Sequence, residues 1–217
     1  MLFRSKESQT SNNQASQANS PKEEVEKLYG IPIGKRNKLN VTTQIQQRWN
    51  FCAPATVSMM LASRGKIVDQ FTLAREMGTY EPFGTHNRDA IRILNKHMFG
   101  YEFPQTNQAG YRIETVREIN SASIELFKQR LIKNTQDGYP MYYTFNPGKI
   151  YPGIANAEHN VAGAGYIATP DNKDVALVYY VDPYYKFQDP IYGGLKVVTP
   201  EELLNAMVGV SEPDYAW

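Results

Sequence analysis

Polar and apolar positions divide the chain into three textures. From Met1 to about Pro21, Ser, Asn, Gln and Lys dominate and the one apolar pair is Leu2-Phe3. That predicts a flexible tail over residues 1–21, because so polar a segment buries too little surface to offset its ordering entropy. Residues 22–40 read as an N-terminal arm, with a short charged helix over Lys22–Leu28 ending near Gly30 and extended chain around Ile31-Pro32-Ile33-Gly34 and Lys38-Leu39-Asn40-Val41. Regular patterning fills residues 41–217, which are read as one globular domain.

Within that domain the first half has helical period. Val57, Met60 and Leu61 follow Cys52 at helical spacing, with Asn50 read as the N-cap and Pro54 in the first turn, where a missing N–H costs little. Val68–Met77 reads as a second helix offering Phe71, Leu73 and Ala74 for burial. Thr85 is read as the cap of a third, with the stripe Ile91, Leu94 and Met98, and Ile124–Asn134 gives a fourth with Ile124, Phe127 and Leu131 on one face. After Gly138 the period shortens. Tyr139–Phe145, His159–Ile167 and Val175–Val181 read as strands, with His159, Val161 and Ile167 on one face. Asp171–Asp174 is a turn, Asp182-Pro183 ends the third strand, and Pro200–Met207 is a closing helix capped by Thr199. Helices first and strands after predict an α+β fold.

Charge adds little to this picture. With 23 basic and 22 acidic side chains the formal net charge is +1, which gives no electrostatic reason to expect a nucleic-acid partner. No apolar run is long enough to span a membrane. The expected state is a monomer. The single Cys52 forms no intramolecular disulfide, so cysteine usage fixes no compartment. Residues 1–21 lack the apolar centre of a signal peptide, which leaves an extracellular or cell-surface location, with a signal removed ahead of them, beside a cytoplasmic one.

Cys52 carries the candidate chemistry. At a helix N-terminus, amide groups and the helix dipole favour thiolate over thiol, although a lone cysteine is more often a small packed hydrophobe. A cysteine enzyme also needs a base, a group to orient that base and a donor for the oxyanion, and His159, Asp182 and Gln46 are available. His86 and His97 are read as surface or helix-end residues and set aside. Three histidines scattered at 86, 97 and 159 lack the tight spacing of zinc ligands, so neither a metal nor another cofactor is called for. Tyr142, Tyr143, Tyr184 and Tyr185 are read as core residues or surface cross-strand pairs before groove-lining ones.

Four motifs in order resemble the papain-like cysteine peptidases, and among them the bacterial double-glycine, bacteriocin-leader-processing peptidases. They are Gln46 six positions before the cysteine, Cys52-Ala53-Pro54-Ala55, Glu158-His159-Asn160-Val161 with Gly165-Tyr166, and Val181-Asp182-Pro183. Ala53 stands where that family usually has glycine. The resemblance covers about residues 41–207 and implies a papain-like fold, with an N-terminal helical part carrying the cysteine packed on a C-terminal antiparallel sheet carrying the histidine and aspartate. It further implies that Cys52 attacks, His159 serves as general base and then acid, Asp182 orients the imidazole, and the Gln46 amide with the Cys52 N–H holds the oxyanion. A peptide or protein substrate follows. Acyl transfer or isopeptide chemistry would use the same groups, and a catalytically idle peptide-binding module on the same fold is the other alternative.

Overall fold

In the computed structural model, residues 29–217 are described. The tail reading over residues 1–21 and the helix reading over Lys22–Leu28 lie outside them. Seven strands form one antiparallel sheet: β1 (Arg36–Lys38), β2 (Ile113–Thr115), β3 (Met141–Phe145), β4 (His159–Ala168), β5 (Val175–Val181), β6 (Leu195–Val198) and β7 (Asp214–Ala216). Their order is β2-β7-β3-β4-β5-β6, with β1 paired to part of β4. Among the described residues, the α-helices used below are α1 (Cys52–Ala62), α2 (Gln70–Met77), α3 (Asn87–Phe99), α4 (Ser121–Asp137), the single turn α5 (Pro147–Ile150) and α6 (Pro200–Met207).

The two faces of the sheet bury two separate apolar layers. On one, α1, α2 and α3 pack Val57, Leu61, Leu73, Ile91 and Leu94 against Ala162, Ile167 and Tyr179. On the other, α4 and α6 place Phe127, Leu131, Leu203 and Met207 against Tyr143, Val161 and Tyr180. Covering both faces makes β3, β4 and β5 buried along their whole length, which explains why they read as continuous apolar runs. Helix α1 is buried at every residue from Ala53 to Leu61, the mark of a central helix.

Four local expectations are corrected. The N-cap of α1 is Phe51, which makes no side-chain capping bond, and Asn50 sits one residue outside. His86, not Thr85, is the N-cap of α3, and the Thr85 hydroxyl instead meets that of Thr79 at 2.7 Å. Phe71 is not in the core: it is 45% exposed and packs edge-on against Phe51. Finally, His159 and Val161 do not share a face with Ile167. A bulge between Gly163 and Gly165 inserts Ala164 without a partner on β5, so the alternation reverses beyond it. The bulge uses Gly165 at φ +103, where a Cβ would lie 2.1 Å from the Asn37 carbonyl oxygen of β1.

Candidate active site

The sheet and α1 bring the sequence-predicted residues to one end of the molecule. His159 is the first residue of β4, and Asp182 is the residue after β5, its antiparallel neighbour. Cys52 is the first residue of α1, which lies across β4 with the Thr56 hydroxyl donating to the Asn160 carbonyl at 3.0 Å. No side chain caps α1, so no capping residue competes for the amides of the first turn around Cys52.

His159 and Asp182 form a buried pair, with Nε2 and Oδ1 2.8 Å apart. Asp182 has no exposed surface, and its carboxylate accepts two further bonds, from the Tyr184 N–H to Oδ1 at 2.8 Å and from the Tyr151 hydroxyl to Oδ2 at 2.7 Å. Its turn is pinned by Gln188, whose amide donates to the carbonyls of Asp182 and Tyr184. Phe145, Tyr184 and Phe187 surround the imidazole edge to face. Burial pushes the His159 imidazolium toward losing its proton, but the Asp182 charge and hydrogen bond, together with the Cys52 sulfur, more than reverse this and lift it to about 10. With Nε2 committed to Asp182, Nδ1 is the nitrogen left for the sulfur.

Gln46 is also buried, and its position is linked to the aspartate turn because its backbone N–H donates to the Pro183 carbonyl at 2.9 Å. Its Nε2 donates to the carbonyls of Arg48 and Trp49 at 2.9 and 2.8 Å, which anchors the amide to the loop entering α1, while Oε1 is buried without a partner. His97 pairs with Glu76 away from the cysteine. Tyr142 and Tyr143 are core residues, whereas Tyr184 lies beside the imidazole.

Three contributors escaped the sequence. A cleft of about 220 Å³ opens beside Cys52, lined by Tyr80, Phe83, His86, Glu158, Asn160 and Glu212 among others. His86 therefore belongs to the site's wall, held by Glu212 at 2.8 Å. Asn160 accepts the Cys52 thiol hydrogen bond at Oδ1, 3.2 Å away. Tyr151 supports the aspartate from a segment that carries no motif. Only the Glu158-His159-Asn160 run hinted at any of this, since neighbouring strand residues flank the histidine.

The arrangement sets a thiol at a helix start near an imidazole with a buried carboxylate partner and beside a cleft, groups that can carry covalent acyl chemistry. No curated protein sequence matches the chain. Among solved structures, a protein from Bacillus anthracis described as a C39-like peptidase aligns at 18% identity over 82% of this chain and 93% of its own, with a TM-score of 0.53. A double glycine motif protease from an AMS/PCAT transporter, solved in complex with the leader peptide, aligns at 15% identity over 86% and 96%, with a TM-score of 0.49. The first establishes the α+β papain-like fold. The model of the Peptidase_C39 like family matches residues 38–199, most of the described chain, and the chain therefore belongs to that family of cysteine peptidases.

Proposed function

We propose that the protein hydrolyses peptide bonds through Cys52, His159 and Asp182. What supports this most is the meeting of Cys52 and the buried His159–Asp182 pair beside a cleft large enough for a side chain. His159 holds the thiol proton at Nδ1 before the attack, so that sulfur attacks the scissile carbonyl as thiolate, and Asp182 stabilises the imidazolium. The carbonyl electron pair moves to oxygen, where the Cys52 N–H and the Gln46 amide are the proposed donors. For Gln46 this means that one N–H now shared with the Arg48 and Trp49 carbonyls turns toward the oxyanion. His159 then protonates the leaving amine, and a water deprotonated by the same ring releases the thioester. An extended peptide beside Cys52 would rest against Tyr80 and Phe83 on one wall and Glu158 on another. The test is a peptidyl chloromethyl ketone followed by intact-mass and peptide mapping. One adduct, on Cys52 and lost in His159→Ala, is expected; an unlabelled Cys52 in folded protein would overturn the reading.

A further inference from the structure

A second cavity of about 220 Å³ lies at the other end of the sheet from the candidate active site. Strand β3 connects the two: Phe145 at its end pairs with His159, whereas Tyr139, two residues before its start, lines this cavity. The walls are mostly apolar and include the rings of Phe99, Tyr111, Tyr139 and Trp217. Arg64 and Arg130 lie over the Tyr139 and Trp217 rings, 4.3 and 4.0 Å from their centres, and hold both in place. Into this apolar space α4 sends one polar group. The buried stripe of that helix runs Phe127, Leu131, Asn134, so an amide stands where helical spacing calls for another core residue. Asn134 is 9% exposed and lines the cavity, and its side chain has no hydrogen-bond partner among the described residues. A buried amide with neither its oxygen nor its NH2 satisfied destabilises the fold, and a partner from outside the protein accounts for its presence.

We propose that this cavity binds an adenine-type base, a flat ring with apolar faces and a polar edge. The rings of Phe99, Tyr139 and Trp217 give the faces something to pack against, and Asn134 meets the edge. Its Oδ1 accepts from the exocyclic amine while its Nδ2 donates to the neighbouring ring nitrogen, the two-bond pairing that asparagine makes with adenine. Other ligand classes use only half of the site. A hydrocarbon chain would fill the apolar space and leave the amide unpaired, whereas an inorganic anion would meet the amide and leave the rings unused. Charge at the mouth selects little, because Lys133 is paired with Asp137 and the Arg112 guanidinium already donates to the carbonyls of Gln105, Gln108 and Gly110. The base itself is therefore what the site recognises, whether a nucleoside or a nucleotide carries it. None of the lining residues is a proposed catalytic group, so the inference stands apart from the peptidase reading.

The chain has two tryptophans, and only Trp217 lines the cavity, so Trp49→Phe protein reports on it through one indole. Adenosine should quench that emission to saturation. Adenosine monophosphate is titrated beside it: equal affinity means that the nucleoside suffices, and tighter binding means that a nucleotide is the preferred carrier, both in support of the site. Purine riboside, which lacks the exocyclic amine, should bind about tenfold more weakly, the change that loss of one hydrogen bond gives. That comparison needs no change in the cavity. Asn134→Leu should weaken adenosine by about tenfold or more and should raise the thermal midpoint of the ligand-free protein, because the unpaired amide is gone. Absence of saturable quenching in folded protein at millimolar adenosine, purine riboside bound as tightly as adenosine, or unchanged adenosine affinity in folded Asn134→Leu would each overturn the inference.

Discussion

Replacing Asp182 by Asn tests the electrostatics of the site with little change of shape. In the wild type Oδ1 accepts from His159 and Tyr184 and Oδ2 accepts from Tyr151. An asparagine fits if its oxygen takes the first position and its NH2 donates to the Tyr151 hydroxyl, which then donates to the Tyr180 hydroxyl 2.9 Å away. What disappears is the negative charge. The net rise of His159 from 6.5 to about 10, left after the opposing effect of burial, corresponds to ~5 kcal/mol at roughly 1.36 kcal/mol per unit, and Asp182 and the Cys52 sulfur are its sources. If Asp182 supplies the larger part, its removal costs the imidazolium about 3 kcal/mol, or roughly a hundredfold in any step that needs it. With that charge gone and burial still acting against the imidazolium, the ring should titrate well below its wild-type value in Asp182→Asn. Labelled-histidine NMR reads this directly, since the chain holds three histidines and His86 and His97 are assigned by substitution. The sign for stability follows. A folded value raised above the unfolded one contributes fully below about 6.5 and is lost as pH rises through about 10, so the stability gap between wild type and variant should be widest near pH 6 and close on the alkaline side. A His159 midpoint in Asp182→Asn within half a unit of wild type would refute the reasoning.

Three further outcomes are expected. Tyr151→Phe removes one of three donors to a carboxylate with no access to water, and should lower unfolding free energy in urea by about 1.5–3 kcal/mol. Gln46→Ala should lower kcat by on the order of a hundredfold with KM nearly unchanged, as read by steady-state kinetics on a cleaved peptide, because its proposed partner charge exists only once the carbonyl is attacked. Gly165→Ala sets a Cβ against the Asn37 carbonyl at a positive φ and should lower the thermal midpoint, at a cost of at least about 2 kcal/mol, without altering Cys52 alkylation if the bulge serves only the sheet.

Periodicity made the helices and central strands legible, because both sheet faces and α1 are buried and their apolar runs are long. The closing helix was legible to its cap, since Thr199 and Glu202 form a local capping box. Asn50 and Thr85 misled because a capping residue's preference is weak beside the hydroxyl bond to Thr79 that claimed Thr85 and the buried loop that holds Asn50. The reversal of faces in β4 depends on where β5 slips register, which no single strand encodes. At the site, Cys52, His159 and Asp182 stood out by residue type and order. Tyr151 did not, since its partner is 31 residues away and an isolated Tyr carries no periodic signal.

The central claim is that Cys52 cleaves peptide bonds, and a peptide-library digest read by mass spectrometry tests it most directly. Wild type should generate defined new termini, whereas Cys52→Ala and His159→Ala, with wild-type melting behaviour, should generate none. Equal cleavage by Cys52→Ala, or no cleavage of any peptide by folded wild-type protein, would contradict it.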